Sequence, residues 1–449
     1  MDKNNGAIYD ARKLGKPKMI ILGVQHMFAM FGATILVPIL TGLDISTTLL
    51  MAGLGTLLFH CITKFKVPAF LGSSFAFLGG YAAIKAFSPN DPNSMLPYAC
   101  LGVACAGLIY FILAAVIKAV GIEKVMRFFP PVVTGPIIIA IGLGLAPSAV
   151  SNCTTNWFLA VVALAVIVVF NIWGKGMAKI IPIILGLLIS YGTGLVLYFI
   201  SQANPDLIQN VPWLFSGGAD ANGVYQPIFD FTSLNTICDN ISKGHIFGSE
   251  GLIGIPIHWD QTVFGGIDYS NGALIASSII AIVPIAFATM MEHIGDICAI
   301  SSTTGNNYIK DPGLHRTLVG DGLATTLASL FGGPANTTYG ENTGVLALTR
   351  VYDPRVIRIA AYFAVAVSFF PIVSVIIGSI PSCIIGGISF VLYGMISAIG
   401  VRNVVENKVD FTKSRNLIVA AVILVCALGL SSDTVSFTIG SAAITLLSL

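Results

Sequence analysis

The chain is poor in charged residues, and this shortage decides its class. Only 10% of its 449 residues are Asp, Glu, Lys or Arg, whereas 55% are hydrophobic. A soluble domain of average composition carries about a quarter charged residues, so the composition excludes a soluble globular protein. Because most of the surface must then face lipid, we predict a protein that crosses the membrane many times.

The eight cysteines lack the spacing of a metal site or of a redox motif, since no two of them form a Cys-x-x-Cys pair. Six of them lie in apolar segments, where a cysteine usually acts as a small buried hydrophobe. Cys153 and Cys238 fall in predicted outer loops, and the sequence leaves a disulfide between them open. We therefore expect no bound metal and no other cofactor.

Long apolar runs are what the chain has in abundance. At roughly 20 residues per membrane-spanning helix, we predict seven spans before a polar loop at about 203–270 and seven after it, fourteen in all. The last span is short, and the chain ends inside it. The approximate bounds are 19–40, 46–63, 68–87, 97–120, 129–148, 156–173, 178–200, 273–298, 315–333, 335–351, 356–379, 381–401, 414–430 and 433–449.

The distribution of basic residues tests these spans independently. With the N-terminus in the cytoplasm, 21 of the 23 Lys and Arg residues fall on the cytoplasmic side, and only Lys85 and Lys243 do not. The 203–270 loop holds seven acidic residues and one lysine. This alternation follows the positive-inside rule. We therefore predict a multi-pass protein of the cytoplasmic membrane, with its N-terminus inside and the large loop outside.

The arrangement of the spans indicates an inverted repeat. Seven spans followed by an outer loop mean that the second group of seven starts from the opposite side of the membrane. In such folds the binding site lies where broken helices of the two repeats meet. The predicted parts are a cytoplasmic tail (1–18), a first repeat (19–200), an extracellular loop (201–272) and a second repeat (273–449).

Two corresponding spans carry helix-breaking residues. Span ten has four glycines and a proline within 331–344, and span three has a proline, three glycines and two serines within 67–80. Non-helical backbone at membrane depth is tolerated only where protein or a water-filled cavity satisfies its polar groups. We therefore predict a short strand in each of these two spans, paired antiparallel, within an otherwise all-α polytopic fold.

Charge in the middle of the predicted spans is rare, and all of it is negative. Of the 21 acidic residues, only Glu292, Asp296, Asp321 and Glu341 fall well inside spans. No Lys or Arg lies near the middle of a span to pair with them, and such acids are functional by default. Glu292 and Asp296 are four residues apart and share one helix face, whereas His293 lies about a third of a turn away. Asp321, between two glycines, has a weaker case and would also suit a helix end.

These residues define the chemistry of a ligand. Glu292 and Glu341 accept hydrogen bonds and so suit a ligand with N–H groups. Backbone N–H groups at the start of a half-helix suit carbonyl oxygens, and Phe75 on the break of span three suits a flat ring. A pyrimidine such as uracil offers all three features. The polar pair Gln25 and His26 in the first span is expected to support the site without touching the ligand.

Five motifs, spread in order over nearly the whole chain, resemble the nucleobase–ascorbate transporter family, and in particular its bacterial uracil-permease branch. The resemblance implies a fourteen-span inverted repeat divided into a core domain that holds the site and a gate domain that mediates dimerisation. It also implies a homodimer that imports uracil together with a proton and binds no nucleic acid. The motifs are Gln25-His-Met-Phe-Ala-Met-Phe-Gly-Ala-Thr34, Gly72-Ser-Ser-Phe-Ala-Phe77, Glu292-His-Ile-Gly-Asp296, Asp311-Pro-Gly-Leu-His315 and Asn336-Thr-Thr-Tyr-Gly-Glu-Asn342.

The resemblance also implies roles for single residues. Glu292 is expected to carry the coupling proton with Asp296 tuning it, although some uracil permeases have a histidine in place of Asp296. Asn342 and Asp321 are expected to support the site, as Gln25 and His26 do. The residues expected to bind substrate are Glu292 and Glu341 for the ring N–H groups, Phe75 for the ring face, and the backbone at Tyr339 and Gly340 for the carbonyl oxygens.

Other functional classes fit the sequence less well. An intramembrane aspartyl protease would need two facing aspartates, which Asp296 and Asp321 offer superficially, but it needs neither inverted halves nor a glutamate on a broken helix. A channel needs a continuous polar lining, whereas these polar groups cluster at one depth. We therefore expect a transporter and not an enzyme. A permease for xanthine or urate stays open, as does an anion transporter of the same architecture, although two glutamates would repel an anion.

Overall fold

The fold is mostly helical. The computed structural model describes residues 7–125, 127, 130–179, 181–220, 222–430, 435–439 and 442–446. The helices before the polar loop are α1 (Lys16–Thr41), α2 (Ile45–Ile62), α3 (Leu78–Lys85), α4 (Leu96–Val120), α5 (Ile122–Val125), α6 (Pro131–Gly144), α7 (Ala146–Cys153), α8 (Trp157–Trp173) and α9 (Pro182–Ala203). Those within the loop are α10 (Asp206–Asn210), α11 (Pro212–Phe215), α12 (Thr232–Ser242) and α13 (Val263–Gly266). Those after it are α14 (Gly272–Ile282), α15 (Ile285–Thr304), α16 (Leu314–Leu330), α17 (Gly340–Thr349), α18 (Pro354–Ser368), α19 (Pro371–Gly378), α20 (Ser382–Glu406) and α21 (Ser414–Leu430).

Short strands form three antiparallel pairs in the described residues. The strands β1 and β4 pair with each other, as do β2 with β3 and β5 with β6. β1 and β4 lie in predicted spans three and ten, whereas β2 and β3 form a hairpin within the polar loop. Their bounds are β1 (Leu71–Ser73), β2 (Ser216–Ala219), β3 (Tyr225–Pro227), β4 (Asn336–Thr338), β5 (Val435–Ile439) and β6 (Ala442–Leu446).

The C-terminal segment differs from its prediction. The apolar run predicts a helix over 433–449, but the described residues there form the paired strands β5 and β6. The reason lies in the local pattern, because Val435, Phe437 and Ile439 alternate with a serine and a threonine, as in a strand. The predicted helix is therefore wrong for these residues, and the rest of 433–449 lies outside the described part of the chain.

Several helices are suited to a membrane. In the described part of the chain, seven are long and apolar enough to cross one when α6 with α7 and α14 with α15 are each taken as one helix, and the count is eight if α18 and α19 form a single broken span. Other apolar helices, such as α8 and α21, are shorter. A multi-pass membrane protein follows from these helices, whereas the count of fourteen spans stays a prediction.

The chain folds as two compact units. Unit 1 contains the described residues of Met1–Ala140, Ile255–Phe369 and Gly400–Leu449, and unit 2 contains those of Ile141–Gly254 and Phe370–Ile399. Each unit therefore takes residues from both predicted repeats. The boundaries of the predicted repeats therefore do not coincide with the boundaries of the packed units.

In unit 1, α4 and α16 pack unusually closely because glycines lie at their contact. A Cβ on Gly107 would lie 2.4 Å from Oγ1 of Thr326, and one on Gly322 would lie 2.5 Å from Cβ of Tyr110. Any larger residue would push the helices apart at this point. α4 also exposes an apolar stripe of residues spaced four apart, which suits contact with lipid: Leu108, Ile112 and Val116.

In unit 2, Asn156 ties the start of α8 to the β2–β3 hairpin. Its Oδ1 accepts a hydrogen bond from the N–H of Leu159 at 3.1 Å, and its Nδ2 donates to the carbonyl of Ser216 at 2.9 Å. The asparagine thereby caps the helix and holds the hairpin. Cys153 and Cys238 of this unit are both free thiols, so the disulfide that the sequence leaves open is not formed.

The segment predicted as a cytoplasmic tail packs on unit 1 before α1 begins. Ile8 forms a parallel bridge with Val351, and the N–H of Ala11 donates to Oδ2 of Asp353 at 2.7 Å. Ala11 is fully buried. The described part of the tail is therefore tied to the connection between α17 and α18.

Candidate functional site

The helix-breaking stretches of predicted spans three and ten, 67–80 and 331–344, are called the two broken segments below. They contact each other through the β1–β4 pair. All six strand residues are buried. Two further backbone hydrogen bonds extend the pair, from Tyr339 to the carbonyl of Phe70 at 3.0 Å and from Ser74 to that of Ala335 at 2.9 Å. The strands thus satisfy each other's backbone groups, as membrane depth requires. Opposite residues are Leu71 and Thr338, Gly72 and Thr337, and Ser73 and Asn336.

Gly72 and Tyr339 determine how closely the two segments approach. A Cβ on Gly72 would lie 2.5 Å from Cε2 of Tyr339 and 2.7 Å from Oγ1 of Thr34. The tyrosine ring occupies this space and is buried, and its hydroxyl donates to the carbonyl of Ser73 at 2.7 Å. The side chain of Tyr339 therefore joins the second broken segment to the first.

Each strand leads into the start of a helix. After β1, a single 3₁₀ turn (Phe75–Phe77) leads into α3, and after β4 the chain enters α17 at Gly340. The first N–H groups of a helix have no partner within it, and they carry the positive end of the helix dipole. The start of α17 therefore favours a carboxylate or the carbonyl oxygen of a ligand.

Asp296 of α15 lies at the start of α17. A Cβ on Gly340 would lie 3.4 Å from its Oδ1, and the hydroxyl of Thr338 donates to its Oδ2 at 2.9 Å. A helix N-terminus stabilises a carboxylate in this position. The structure thus joins Asp296 to the break of span ten, a contact that the four-residue spacing from Glu292 does not predict.

The two predicted ligand-binding glutamates lie on α15 and α17, which pack against each other. Glu292 is exposed and lies one turn before Asp296 on α15. Glu341 is the second residue of α17 and follows Gly340 directly, but its side chain lies outside the described residues. The backbone therefore brings together the helices that carry both glutamates.

The predicted ring contact, Phe75, is half-buried. It packs against an apolar cluster that includes Met30, Phe70 and Tyr339. Because the N–H of Tyr339 is bonded to Phe70 in the strand pair, Gly340 is the better placed of the two backbone groups assigned to ligand carbonyls. Gly340 is exposed at the start of α17.

Two of the predicted supporting residues lie together. His26 of α1 and Asn342 of α17 are both buried and lie beside each other, without a hydrogen bond between their side chains. Gln25 is half-buried next to His26. The first span is therefore linked to the helix that carries Glu341.

Asp321 lies in the middle of α16, not at the helix end that its flanking glycines would also suit. It is fully buried, and its Oδ2 lies 3.4 Å from Nδ1 of His293, which is also fully buried. His293 lies off the helix face shared by Glu292 and Asp296, and its position in the sequence therefore predicts no role for it. The signal that could have found it is Asp321 itself, since a buried acid with no Lys or Arg in mid-span needs another partner.

The chain is similar to known membrane permeases over most of its length. Residues 17–435 match the model of the permease family Xan_ur_permease. The chain is 39% identical over 421 residues to a uracil permease of Bacillus caldolyticus, covering 91% of this chain and 85% of that protein. It is 38% identical over 423 residues to a uracil permease of Bacillus subtilis (strain 168), covering 91% and 85%. It is 35% identical over 440 residues to the putative pyrimidine permease RutG of Escherichia coli (strain K12), covering 97% and 89%.

A solved structure has the same fold. The transmembrane domain of the cyanobacterial bicarbonate transporter BicA matches with a TM-score of 0.63, covering 95% of this chain and 98% of that one. The two sequences are 13% identical, so the likeness concerns the fold alone. The residues of the candidate site described above all belong to unit 1.

Proposed function

Because the chain belongs to the Xan_ur_permease permease family, we propose that it is a secondary active transporter that imports uracil by proton symport. The site lies in unit 1 around the β1–β4 pair and the start of α17. Alternating access exposes this site to one side of the cytoplasmic membrane and then to the other. The main observation in support of this proposal is that the two broken membrane segments meet beside α17, the helix that contains Glu341.

The chemistry of the site supports a pyrimidine substrate. Glu292 and Glu341 supply acceptors for ring N–H groups, the start of α17 at Gly340 supplies donors for a ring carbonyl, and Phe75 supplies an aromatic face. Uracil has alternating N–H and carbonyl groups on a flat ring. The uracil permeases to which this chain is 38–39% identical support the same choice.

Glu292 carries the coupling proton in this proposal, and Asp296 tunes it. The two carboxylates are one turn apart on α15, and Asp296 is held by Thr338 beside the start of α17. Protonation of Glu292 removes a negative charge that is costly to move through a membrane site. Proton and uracil therefore travel together.

The proposed architecture is an inverted repeat of fourteen spans, with the parts 1–18, 19–200, 201–272 and 273–449. The pairing of β1 with β4 supports it, because equivalent segments of two inverted repeats meet in this way near the middle of the membrane. A core domain holds the site, and a gate domain forms the contact of a homodimer. The N-terminus lies in the cytoplasm and the 201–272 loop outside.

Uptake into proteoliposomes tests the function. Purified protein should concentrate radiolabelled uracil when a proton gradient is imposed and should only equilibrate it without one. Glu292→Gln mimics the protonated acid permanently, so it should lose accumulation driven by the gradient. If that variant still concentrates uracil, Glu292 does not carry the proton. If the unaltered protein moves no uracil under either condition, the proposed function is wrong.

Competition experiments separate uracil from the other substrate classes. Unlabelled uracil should suppress uptake of the label, whereas xanthine, urate and bicarbonate should not. Bicarbonate is included because BicA shares the fold, and two glutamates in the proposed site would repel an anion. Suppression by xanthine but not by uracil would change the assigned substrate and leave the transport class intact.

The native thiol Cys238 tests the orientation. It is exposed and lies in the 201–272 loop. An impermeant maleimide added to intact cells should label it, and Cys238→Ser should abolish that labelling. In the Cys238→Ser background, a cysteine placed by Lys408→Cys should stay unlabelled until the cells are opened. The opposite pattern would invert the topology.

A further inference from the structure

A chain of four polar side chains, three of them buried, runs from half-buried Asp296 to Asp321 through Thr338 of β4. The hydroxyl of Thr338 donates to Oδ2 of Asp296 at 2.9 Å, and its Oγ1 lies 3.2 Å from Nδ1 of His293. Nδ1 in turn lies 3.4 Å from Oδ2 of Asp321. Four polar side chains from α15, β4 and α16 are thus in series, and the carboxylate of Asp296 lies beside Gly340 at the start of α17.

The donors and acceptors of this chain fix the position of one hydrogen. A threonine hydroxyl has a single hydrogen, and Thr338 uses it on Asp296. While Asp296 is ionised, the oxygen of Thr338 can therefore accept only from Nδ1 of His293, and this state needs a hydrogen on Nδ1. That hydrogen faces Oδ2 of Asp321 as well as Thr338.

The surroundings of His293 isolate it with Asp321. Both side chains are fully buried, and the ring of Phe59 on α2 lies edge-on to the imidazole. In the described part of the chain, Asp321 accepts no hydrogen bond and Nε2 of His293 makes none. A buried carboxylate needs a positive partner, and protonated His293 is placed to supply it.

The other titratable groups around the pair are few. Glu292 and Asp296 belong to the same helix as His293. From α4, Tyr110 lies close enough to Asp321 and Glu292 to interact electrostatically, and its hydroxyl donates to Thr289 of α15 at 2.6 Å. The hydroxyl of Tyr110 is thus held by α15.

We infer that Thr338 passes the coupling proton between Asp296 and His293, and that Asp321 is a positioning residue that balances the charge of His293 while it holds the proton. This inference rests on the proposed proton symport and extends it: the proton that Glu292 carries is shared with Asp296, one turn away on α15, and passes from there to His293. Thr338 belongs to the strand that pairs with β1. The break of span ten would therefore take part in both ligand binding and proton transfer.

The proton transfer conserves atoms and charge. Before the step, Asp296 is protonated and donates to the oxygen of Thr338, whose hydroxyl donates to Nδ1 of neutral His293, and the ring hydrogen is on Nε2. Asp296 then breaks its O–H bond and gives the hydrogen to the oxygen of Thr338. In the same step the original Thr338 O–H bond breaks, and its hydrogen forms an N–H bond at Nδ1 of His293. Asp296 ends as a carboxylate and His293 as an imidazolium beside the Asp321 carboxylate. The net charge of the three titratable groups is the same before and after, and the reverse step releases the proton.

Substitution of Thr338 tests the relay directly. Thr338→Val keeps the branched shape but removes the hydroxyl, and Thr338→Ser keeps the hydroxyl. The measurement is the initial rate of uracil-driven proton uptake into proteoliposomes, with radiolabelled uracil uptake measured in parallel at several pH values. Thr338→Val should lower the number of protons taken up per uracil by at least about tenfold, since proton transfer through a positioned group contributes roughly 10²- to 10⁴-fold. Thr338→Ser should restore the ratio.

The ratio separates a proton relay from a structural role. If Thr338 only holds Asp296 in place, Thr338→Val lowers both fluxes together and leaves the protons per uracil and their pH profile unchanged, which overturns the inference. Asp321→Asn gives a second test if the valine variant does not fold, and it should lower the ratio in the same direction. An unchanged ratio in Asp321→Asn likewise overturns the inference. If the unaltered protein moves uracil without protons, the proposed symport itself fails.

Discussion

The two broken segments share one backbone plan but differ in chemistry. Each has a three-residue strand that leads into the start of a helix, and the two strands pair. The first segment contains no Asp, Glu, Lys or Arg from Val67 to Ile84, whereas the second carries Glu341 and binds Asp296 through Thr338. The same plan thus appears once with an apolar lining and once with carboxylates.

This difference indicates a division of labour within one site. The first segment sets the spacing of the two strands through Gly72 and, in the proposed site, contributes an aromatic face through Phe75. The second binds Asp296 through Thr338 and, in the proposed site, supplies the groups that form hydrogen bonds with the ligand. Changes in the second segment should therefore act through hydrogen bonds and charge, and changes in the first should act through packing.

The largest effect is expected at Glu341. Glu341→Gln keeps the size of the side chain but replaces one acceptor oxygen with a donor, which opposes the N–H of uracil. Loss of a charge-assisted hydrogen bond costs roughly 1.5–3 kcal/mol, or about 10- to 150-fold in affinity. Equilibrium binding of radiolabelled uracil to purified protein measures it. Glu250→Gln, the same change at an exposed position of the polar loop, is the control and should leave the affinity for uracil unaltered. If the affinity of Glu341→Gln is within twofold of that of the unaltered protein, Glu341 does not belong to the site.

The next effect concerns the spacing of the strands. Gly72→Ala places a Cβ 2.5 Å from the ring of Tyr339, and overpacking of this kind costs about 1–3 kcal/mol. The purified variant should therefore melt at a lower temperature than the unaltered protein. Gly79→Ala, a few residues along the same segment, adds a Cβ with nothing within 4 Å of it. If both variants melt alike, the close approach of the two segments is not what Gly72 provides.

The smallest effect is expected for the aromatic face. Phe75→Leu keeps an apolar side chain but loses the ring, and aromatic contacts contribute about 0.5–1.5 kcal/mol beyond buried area, or about 2- to 12-fold in affinity. The same binding assay measures this change. Phe87→Leu, at an exposed ring near the end of the same segment, is the matched control. Equal affinities for the two variants would assign Phe75 to packing alone.

The sequence predicts the backbone plan better than the side-chain contacts. Glycine and proline in two corresponding spans indicate where helices break, and the need to satisfy backbone groups in a membrane indicates that the breaks pair. The contact of Asp296 with Thr338 is a different matter. This contact depends on the angle at which α15 crosses the break of span ten. Residue spacing along one helix gives no information about that angle.

Two other features of the structure could not be predicted from residue patterns along the sequence. The pairing of His293 with Asp321 joins α15 to α16, and each residue viewed on its own helix is only a polar group in an apolar run. The strands β5 and β6 lie where a helix is predicted. A short apolar run is compatible with either structure, so its composition alone does not distinguish them. In both cases tertiary packing decides between local alternatives.

A structure of the protein with uracil bound would show whether the two broken segments form one ligand site. We expect the ring in unit 1, with its N–H groups within about 2.7–3.2 Å of the carboxylates of Glu292 and Glu341. We also expect the face of the ring against Phe75 and a carbonyl oxygen at the start of α17. A ring bound away from the β1–β4 pair, or one that contacts neither glutamate, would contradict the proposed site.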